Sequence, residues 1–403
     1  MRLLHLANFN STNIGNGALV FGTERVLGED LGGQVSFTPV AWDDYTFGFK
    51  KFDAEFVDSV NRSDGLIVGA MVTLNGRMYL KHAGMRFDLP YELWSKISKP
   101  IVFYAISYRV WPQQRYHNLD QFKRAMDLIL RSPNILFSVR NDGSKGWIES
   151  LLGYSSDRIS VIPDPTLYVP PKDAWHPELE EGKVNVVISL NEEDEVYRFG
   201  GESRRQAWKY LSPVIGEPRL LRAWKHVPGW QARKRAFLRN LANALEKLSL
   251  ERNLNLILCP HYFDDYKIIG EFLSVCSLRL AYQLTVATGI LRVPLAPYFY
   301  DFYSKADVVL SMRVHSMTPA VGLGVPCVAL TSQARMSEFM NDAGLQDFVV
   351  DIFDPDLTDK VYQRLSYCLE QRDQVKSRLQ AVQSSMRQRT RTYNQRIASL
   401  LSA

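Results

Sequence analysis

Arg313 and His315, separated by one residue and followed at once by Ser316, close an apolar run that begins at Ala306. A guanidinium can hold a carboxylate or phosphate through two parallel hydrogen bonds. An imidazole exchanges protons near neutral pH. The three together suit the binding of an anion and a proton transfer beside it. Taken alone, the triplet is explained as well by an arginine paired with a structural carboxylate and a histidine at a helix start. Other groups of the same kind recur along the chain. Arg140, Asp142 and Ser144 end an apolar run at Val139, and Cys259-Pro260-His261 ends another. Ser189-Leu190-Asn191 ends a third, offering Asn191 as a polar contact. Near the start, Asn13, Gly15 and Asn16 follow the first apolar segment. Gly15-Asn16-Gly17 permits either close backbone approach to a ligand or a tight turn, but is no dinucleotide fingerprint. His261 with Asp264 and Asp265 invites a metal reading, yet the spacing fits no common ligand pattern, and acids that cap a helix explain the pair better.

The elements that must position these residues alternate. Strands are expected at 3–7, 65–69, 101–106, 135–139 and 159–162, with helices at 17–27, 119–130 and 145–152, the last capped by Ser144. A Pro-rich, charged strip at 168–182 reads as a linker. A second series follows: strands at 184–189, 254–259, 306–311, 326–330 and 348–352, helices at 232–248, 266–273, around 298–304, and at 317–323 with Ser316 as N-cap. One or two long helices fill 357–401. Such alternation implies parallel sheets covered on both faces. Two such halves suggest Rossmann-like domains, 1–178 and 179–356, facing a cleft in the glycosyltransferase-B manner, with 357–403 crossing back to the first. In open α/β sheets ligands sit beyond the carboxyl ends of the strands. There, helix N-termini offer free N–H groups. That placement favours the chemical reading of Arg313, His315 and Ser316, with His261 in the same cleft.

Several of these segments resemble the polysaccharide pyruvyl transferase family. Ser311-Met312-Arg313-Val314-His315-Ser316, then Ala320 to Leu330 and Glu338 to Leu345, resembles its C-terminal R-x-H, G-V-P and apolar-strand motif. Asn13-Ile14-Gly15-Asn16 is similar to its N-x-G-D, Ser138 to Ser144 to its V-R-D-x-x-S, and Pro163-Asp164-Pro165 to its D-P. Three positions depart: Asn16 for an aspartate, Ala70 within a glycine triplet, and Arg335 near a lysine. The resemblance implies transfer of a pyruvyl group from phosphoenolpyruvate to two sugar hydroxyls, giving a cyclic ketal. It implies His315 as acid or base. Arg313, with Ser316, His261, Asn191 and Arg335, would bind the donor, while Asn13, Gly15, Asn16, Arg140 and Asp142 line the cleft or touch the acceptor. No cofactor and no metal are expected. The acceptor would be a sugar or lipid-linked glycan, which places the work in the cytoplasm or at the inner face of the cell membrane. Two alternatives are a nucleotide-sugar glycosyltransferase of the same architecture and a non-catalytic glycan-assembly protein.

Composition fits these readings. The 403 residues carry a net charge of +5, with 46% hydrophobic and 23% charged residues, which is ordinary for a globular chain and far from a nucleic-acid binder. The four cysteines are widely spaced and read as free thiols rather than disulfides. Met1 to Ala7 reads as a strand rather than a signal peptide. No apolar stretch is long enough to cross a bilayer. Two basic segments remain. Arg198 to Arg235 holds Trp208, Trp224 and Trp230, and reads as a surface helix pair with docked indoles slightly better than as a glycan contact. The tail from Lys376 to Arg396 reads as a solvated helix face better than as a contact with an anionic membrane.

Overall fold

The computed structural model describes all residues except 33, 76–79, 113, 115, 201–218, 220–222, 224–228, 288–290 and 403. Much of the basic, tryptophan-bearing segment, including Arg204, Arg205, Trp208, Lys209, Arg222, Trp224 and Lys225, therefore lies outside the described residues.

Two parallel sheets form the frame. In the first, β1 (Arg2–Ala7), β2 (Ser36–Ala41), β3 (Gly65–Val68), β4 (Val72–Asn75), β5 (Ile101–Arg109), β6 (Ile135–Arg140) and β7 (Ile159–Ile162) are arranged as β2-β1-β3-β5-β6-β7, with β4 also on β5. In the second, β8 (Val184–Ser189), β9 (Leu254–Leu258), β10 (Leu284–Val286), β11 (Val308–Ser311), β12 (Cys327–Thr331) and β13 (Val349–Asp351) run β10-β9-β8-β11-β12-β13. Their central strands are continuous apolar runs because helices cover both faces: β3, β6, β9 and β11 are buried throughout. In each sheet the chain reverses its direction of travel once, between β1 and β3 and between β8 and β11. Those reversals open crevices at the carboxyl ends of the strands.

The first helix, Ile14–Asp30, fills the space between the two sheets. Asn13 caps it by accepting from the Gly15 N–H at 3.0 Å. The Ile14 N–H donates to the His261 carbonyl at 3.1 Å, so the start of this helix is fastened to the end of β9. Ile14 and Ala18 lie in the core of the second half. The tail forms helices Leu357–Glu370 and Arg372–Ser402, and the latter returns to the first half. Its Tyr393 and Ile397 join Leu3, Leu27, Ile67 and Tyr104 in one apolar cluster.

The basic excess of this tail has structural partners. Arg387 pairs with Asp30 at 2.7 Å, Arg378 with Asp347 at 2.7 Å and Arg389 with Asp342 at 2.7 Å. These arginines face the protein rather than a membrane. No helix among the described residues is long and apolar enough to cross a bilayer. The four cysteines are free, and Cys259, Cys327 and Cys368 are buried.

Candidate active site

A cavity of about 290 Å³ lies where the two switch points face each other. Asn13 and Asn16 enter it from beyond β1, Asn191 and Glu193 from beyond β8, and Arg313 and His315 from beyond β11. Residues nominated far apart in sequence thus share one space.

His315 is the second residue of the helix Val314–Gly322, with φ −85° and ψ 18°, outside helical geometry. Its carbonyl accepts from the Tyr300 hydroxyl at 2.6 Å. Its ring rests on the bare Cα of Gly15: a Cβ built there would lie 2.6 Å from the His315 Cβ and 2.7 Å from Nδ1. Gly15 therefore serves neither a turn nor a phosphate cradle. It sits inside a helix and leaves room for an imidazole from the other half. Arg140 Nη1 lies 3.0 Å from His315 Nε2. A guanidinium can only donate, so Nε2 accepts and the ring proton of the neutral form is on Nδ1. Burial, together with Arg140, Arg335 and Arg313, holds the His315 pKa well below its usual value. His315 is therefore neutral near pH 7.

Arg140 is fully buried at the end of β6 and fastens several strands at once. Nε donates to the Ala105 carbonyl at 3.0 Å, Nη2 to the Ala70 carbonyl at 3.1 Å, and Nη1 reaches Asp164 at 3.3 Å. The Ala105 carbonyl is turned there by an irregularity in the β5–β6 register and a left-handed φ of 49°. The backbone freed by that irregularity is bonded by Ser138, which accepts from the Ala105 N–H and donates to the Phe103 carbonyl, both at 3.0 Å. Asp142 is buried and outside the cavity lining. It accepts from the Ser107 hydroxyl at 2.6 Å, and Ser107 accepts from Arg335 Nη1 at 3.2 Å. Both polar members of this motif thus act by steering a residue of the second half, Arg140 toward His315 and Asp142 toward Arg335. Asp142 also accepts from the Ser144 N–H at 3.2 Å, so Ser144 begins its helix rather than capping it.

The expected roles of Arg313, Ser316 and His261 need correction. Arg313 is 6% exposed, with Nη1 on Glu193 at 2.9 Å and Nη2 on Asp265. Despite its burial these two carboxylates hold its pKa above the ordinary value. Its two terminal nitrogens are thus taken, as the bland pairing reading has it, while Nε has no partner among the described residues. Ser316 is fully buried, bonded to the Ser311 hydroxyl and, at 3.0 Å, to the Arg313 carbonyl. The helix starts two residues earlier, with Arg313 as N-cap. Ser316 does not line the cavity. His261 borders the cavity, but its ring is fully buried against Phe299, Tyr300 and Tyr303, with Nε2 2.6 Å from the Tyr303 hydroxyl. Burial, then Arg313 and His315, keep its pKa well below the usual range. Asp265 Oδ2 accepts from the His261 and Tyr262 N–H groups at 2.9 and 3.0 Å, which gives this acid a loop-closing and Arg313-pairing task. Asn191 accepts from the Glu193 N–H at 2.9 Å, and Asn16 donates to the Ser11 hydroxyl at 2.8 Å.

The cations with capacity for a ligand are others. Arg335 donates to Ser107 and to Gln333, each at 3.2 Å. Arg86 donates to the Val72 carbonyl and the Thr46 hydroxyl, both at 3.1 Å. Arg198 donates to the Glu193 carbonyl and to Ser332. All three line the cavity, and among the described residues none has a carboxylate ion-pair partner. Burial pushes the Arg86 and Arg198 pKa values down to about 10, against the pull of Asp43 on the first and of Asp194 and Glu193 on the second, with Arg109 lowering both and Arg313 also lowering Arg198. Burial lowers that of Arg335, with Asp142 opposing and Arg140 adding to the shift. Glu193, held well below the carboxylate range by Arg109 and Arg313 against its own burial, is the ionised acid of the cleft. Arg86 has no sequence signal. Arg198 stands at the edge of the basic span without betraying a cleft position, and Asp164 of the D-P pair lies behind the cavity on Arg140. Among the described residues no cluster of three or more His, Cys, Asp or Glu is arranged to hold a metal ion.

Facing switch points and a surplus of guanidinium define a protein of the two-domain glycosyltransferase-B-like fold whose cleft suits an anion. The chain belongs to the polysaccharide pyruvyl transferase family, which it matches over residues 13–333. Among solved structures it is similar to the UDP-GlcNAc 2-epimerase of Methanocaldococcus jannaschii, at 11% identity over 92% of this chain and 93% of that one, with a TM-score of 0.51. The UDP-GlcNAc 2-epimerase of Neisseria meningitidis matches at 11% identity over 94% of each chain, with a TM-score of 0.49. The likeness to the first is one of fold alone. No curated protein matches the chain.

Proposed function

We propose that the chain transfers a pyruvyl group from phosphoenolpyruvate to two hydroxyls of a sugar in a polysaccharide or glycan precursor, closing a ketal. The observation that carries this reading is the trio Arg86, Arg198 and Arg335 around one cavity, none of them in a direct ion pair with a carboxylate among the described residues. Family membership points the same way. Phosphoenolpyruvate, with a phosphate and a carboxylate on a three-carbon frame, is the complement: it offers each guanidinium the direct charged hydrogen bonds that its protein partners do not supply.

The enol methylene gains a proton, which leaves an oxocarbenium-like carbon. A sugar hydroxyl attacks it, phosphate departs, and the second hydroxyl closes the ring. Of the two hydroxyl protons, one replaces that spent on the methylene and the other leaves with phosphate. His315 is the group for these transfers. Neutral under the influence of its burial and of Arg140 and Arg335, it regains proton affinity when the anionic donor offsets those two charges. It is then charged only with the donor in place. Glu193 would offset positive charge at the reacting carbon. We place the donor on the side of residues 179–356 and the acceptor toward residues 1–178, with 357–403 tying the two together. The donor's chemistry assigns the work to the cytoplasm, and a lipid-linked acceptor would bring it to the inner membrane face.

Calorimetry with phosphoenolpyruvate at two salt concentrations tests the reading. Binding that weakens as salt rises supports it. Absence of binding, with a nucleotide sugar bound instead, overturns it.

A further inference from the structure

A second cavity, of about 580 Å³, adjoins the first and shares Arg109, Gln333 and Arg335 with it. The volume lies within the roughly 300–1,000 Å³ of small-molecule sites. Its two walls differ in kind. One comes from the end of β5 and the helix Ser144–Leu152: Tyr108 and Trp147 stack with ring centroids 4.8 Å apart and planes 8° from parallel, both half-buried. Tyr116 meets Trp147 edge-on at 5.4 Å and fixes the indole. The other wall comes from the segment after β12 and the end of β13 and presents hydroxyls, an amide and a carboxylate, including Ser332, Gln333, Ser337 and Asp351.

We infer that this cavity is the acceptor subsite, and that it takes a pyranose ring with one face on the Tyr108–Trp147 platform. The inference rests on the donor reading above and extends it. A pyranose has a face of C–H bonds and a rim of hydroxyls. An aromatic platform opposite a row of hydrogen-bonding groups matches those two aspects, whereas a nucleotide diphosphate would need more cations than this cavity adds to the ones it shares. Continuity decides the rest. The ketal carbon must meet two adjacent hydroxyls while the remainder of the glycan lies elsewhere. The neck at Arg335 is where a ring held on the platform reaches a donor held by that arginine. Arg335 then touches both substrates. The acceptor seat falls on Tyr108 and Trp147 rather than on the loop after β1, where Gly15 and Asn16 serve His315 and Ser11.

Saturation-transfer NMR on the whole protein tests this, with the aromatic protons irradiated and a mixture of nitrophenyl hexopyranosides of the gluco, galacto, manno and 2-acetamido series as probe. Saturation should reach the ring protons of one sugar face. Trp147→Leu should remove at least four-fifths of that signal, and so should Ser337→Phe, which fills the cavity from the opposite wall and leaves the stacked pair untouched. Both variants should bind phosphoenolpyruvate by calorimetry within about twofold of the parent. Transfer to none of the probes, or transfer that survives both substitutions, overturns the inference. Sugar signals that obey these expectations in a protein that binds no phosphoenolpyruvate would sink the donor reading while keeping the cavity as a sugar site.

Discussion

Arg313 and Arg335 make opposite predictions although both are arginines of one cleft. Arg335 bonds two neutral groups, so Arg335→Gln removes a charge that can meet a ligand and breaks no direct ion pair among the described residues, although the buried Asp142, held behind Ser107, loses a nearby cation. A charge-assisted hydrogen bond contributes about 1.5–3 kcal/mol, and each 1.4 kcal/mol is tenfold in affinity, so phosphoenolpyruvate should bind roughly 10- to 150-fold more weakly. Thermal stability should fall far less than in the Arg313 variant, because the lost attraction to Asp142 is offset by relief of repulsion with Arg140 and Arg109. Arg313→Gln removes the partner of both Glu193 and Asp265, the latter fully buried. Breaking a buried pair by deleting one member costs about 3–5 kcal/mol. That variant should melt well below the parent and lose affinity only as a consequence of its altered fold. The assays are calorimetry with phosphoenolpyruvate and thermal melts on both proteins. An Arg313→Gln protein with the parental melt and no donor binding, beside an Arg335→Gln protein that binds normally, would refute the assignment and return the anion clamp to Arg313.

Other outcomes follow from the same geometry. His315→Asn should lower kcat by roughly two to four orders of magnitude with the donor affinity kept within a few-fold; parental turnover would exclude His315 from proton transfer. In the NMR titration of the free protein, the His315 ring should stay neutral well below pH 6.5, and saturating phosphoenolpyruvate should move its midpoint upward; an unchanged midpoint would contradict the charge-on-binding scheme. His261 and His315 both have lowered folded-state pKa values, so the unfolded chain binds more protons below about pH 6.5 and stability should fall with acid, by up to ~1.4 kcal/mol per pH unit for each histidine. His261→Gln should flatten that dependence, as read from urea melts at pH 7.5 and 5.5. Gly15→Ala would put a methyl carbon 2.6 Å from the His315 Cβ, so turnover should drop while donor binding persists; normal turnover would show that the ring can shift without consequence.

The parallel sheets were legible because their central strands are short apolar runs and the helices between them keep a 3.6-residue spacing, as over Leu119–Arg131. Elements that lack those signals escaped. β2 is a half-exposed edge strand that carries Pro39, and β4 has four residues. The helix Ala334–Asp342 follows β12 without a side-chain cap. At the site, Arg140 and His315 could be nominated from strand ends alone, and they meet across 175 positions of sequence. What the sequence could not disclose is which cation already has a partner. Glu193 and Asp265 stand 120 and 48 positions from Arg313, beyond two other strands, and only the order of β9, β8 and β11 brings them to it. The same holds for Arg86 and Arg198, which elements far apart in the chain bring to the cavity without any local pattern to mark them.

The central claim is pyruvyl transfer from phosphoenolpyruvate to sugar hydroxyls, and isotope tracing tests it most directly. The purified protein would be incubated with [3-¹³C]phosphoenolpyruvate and a mixture of nitrophenyl hexopyranosides in EDTA, with phosphate release and ¹³C spectra followed together. The account predicts one phosphate released for each new ¹³C-methyl group attached to a sugar through a carbon bearing two ring-closing oxygens, with His315→Asn inactive. Unchanged phosphoenolpyruvate, together with turnover of a nucleotide sugar by the same preparation, would contradict it.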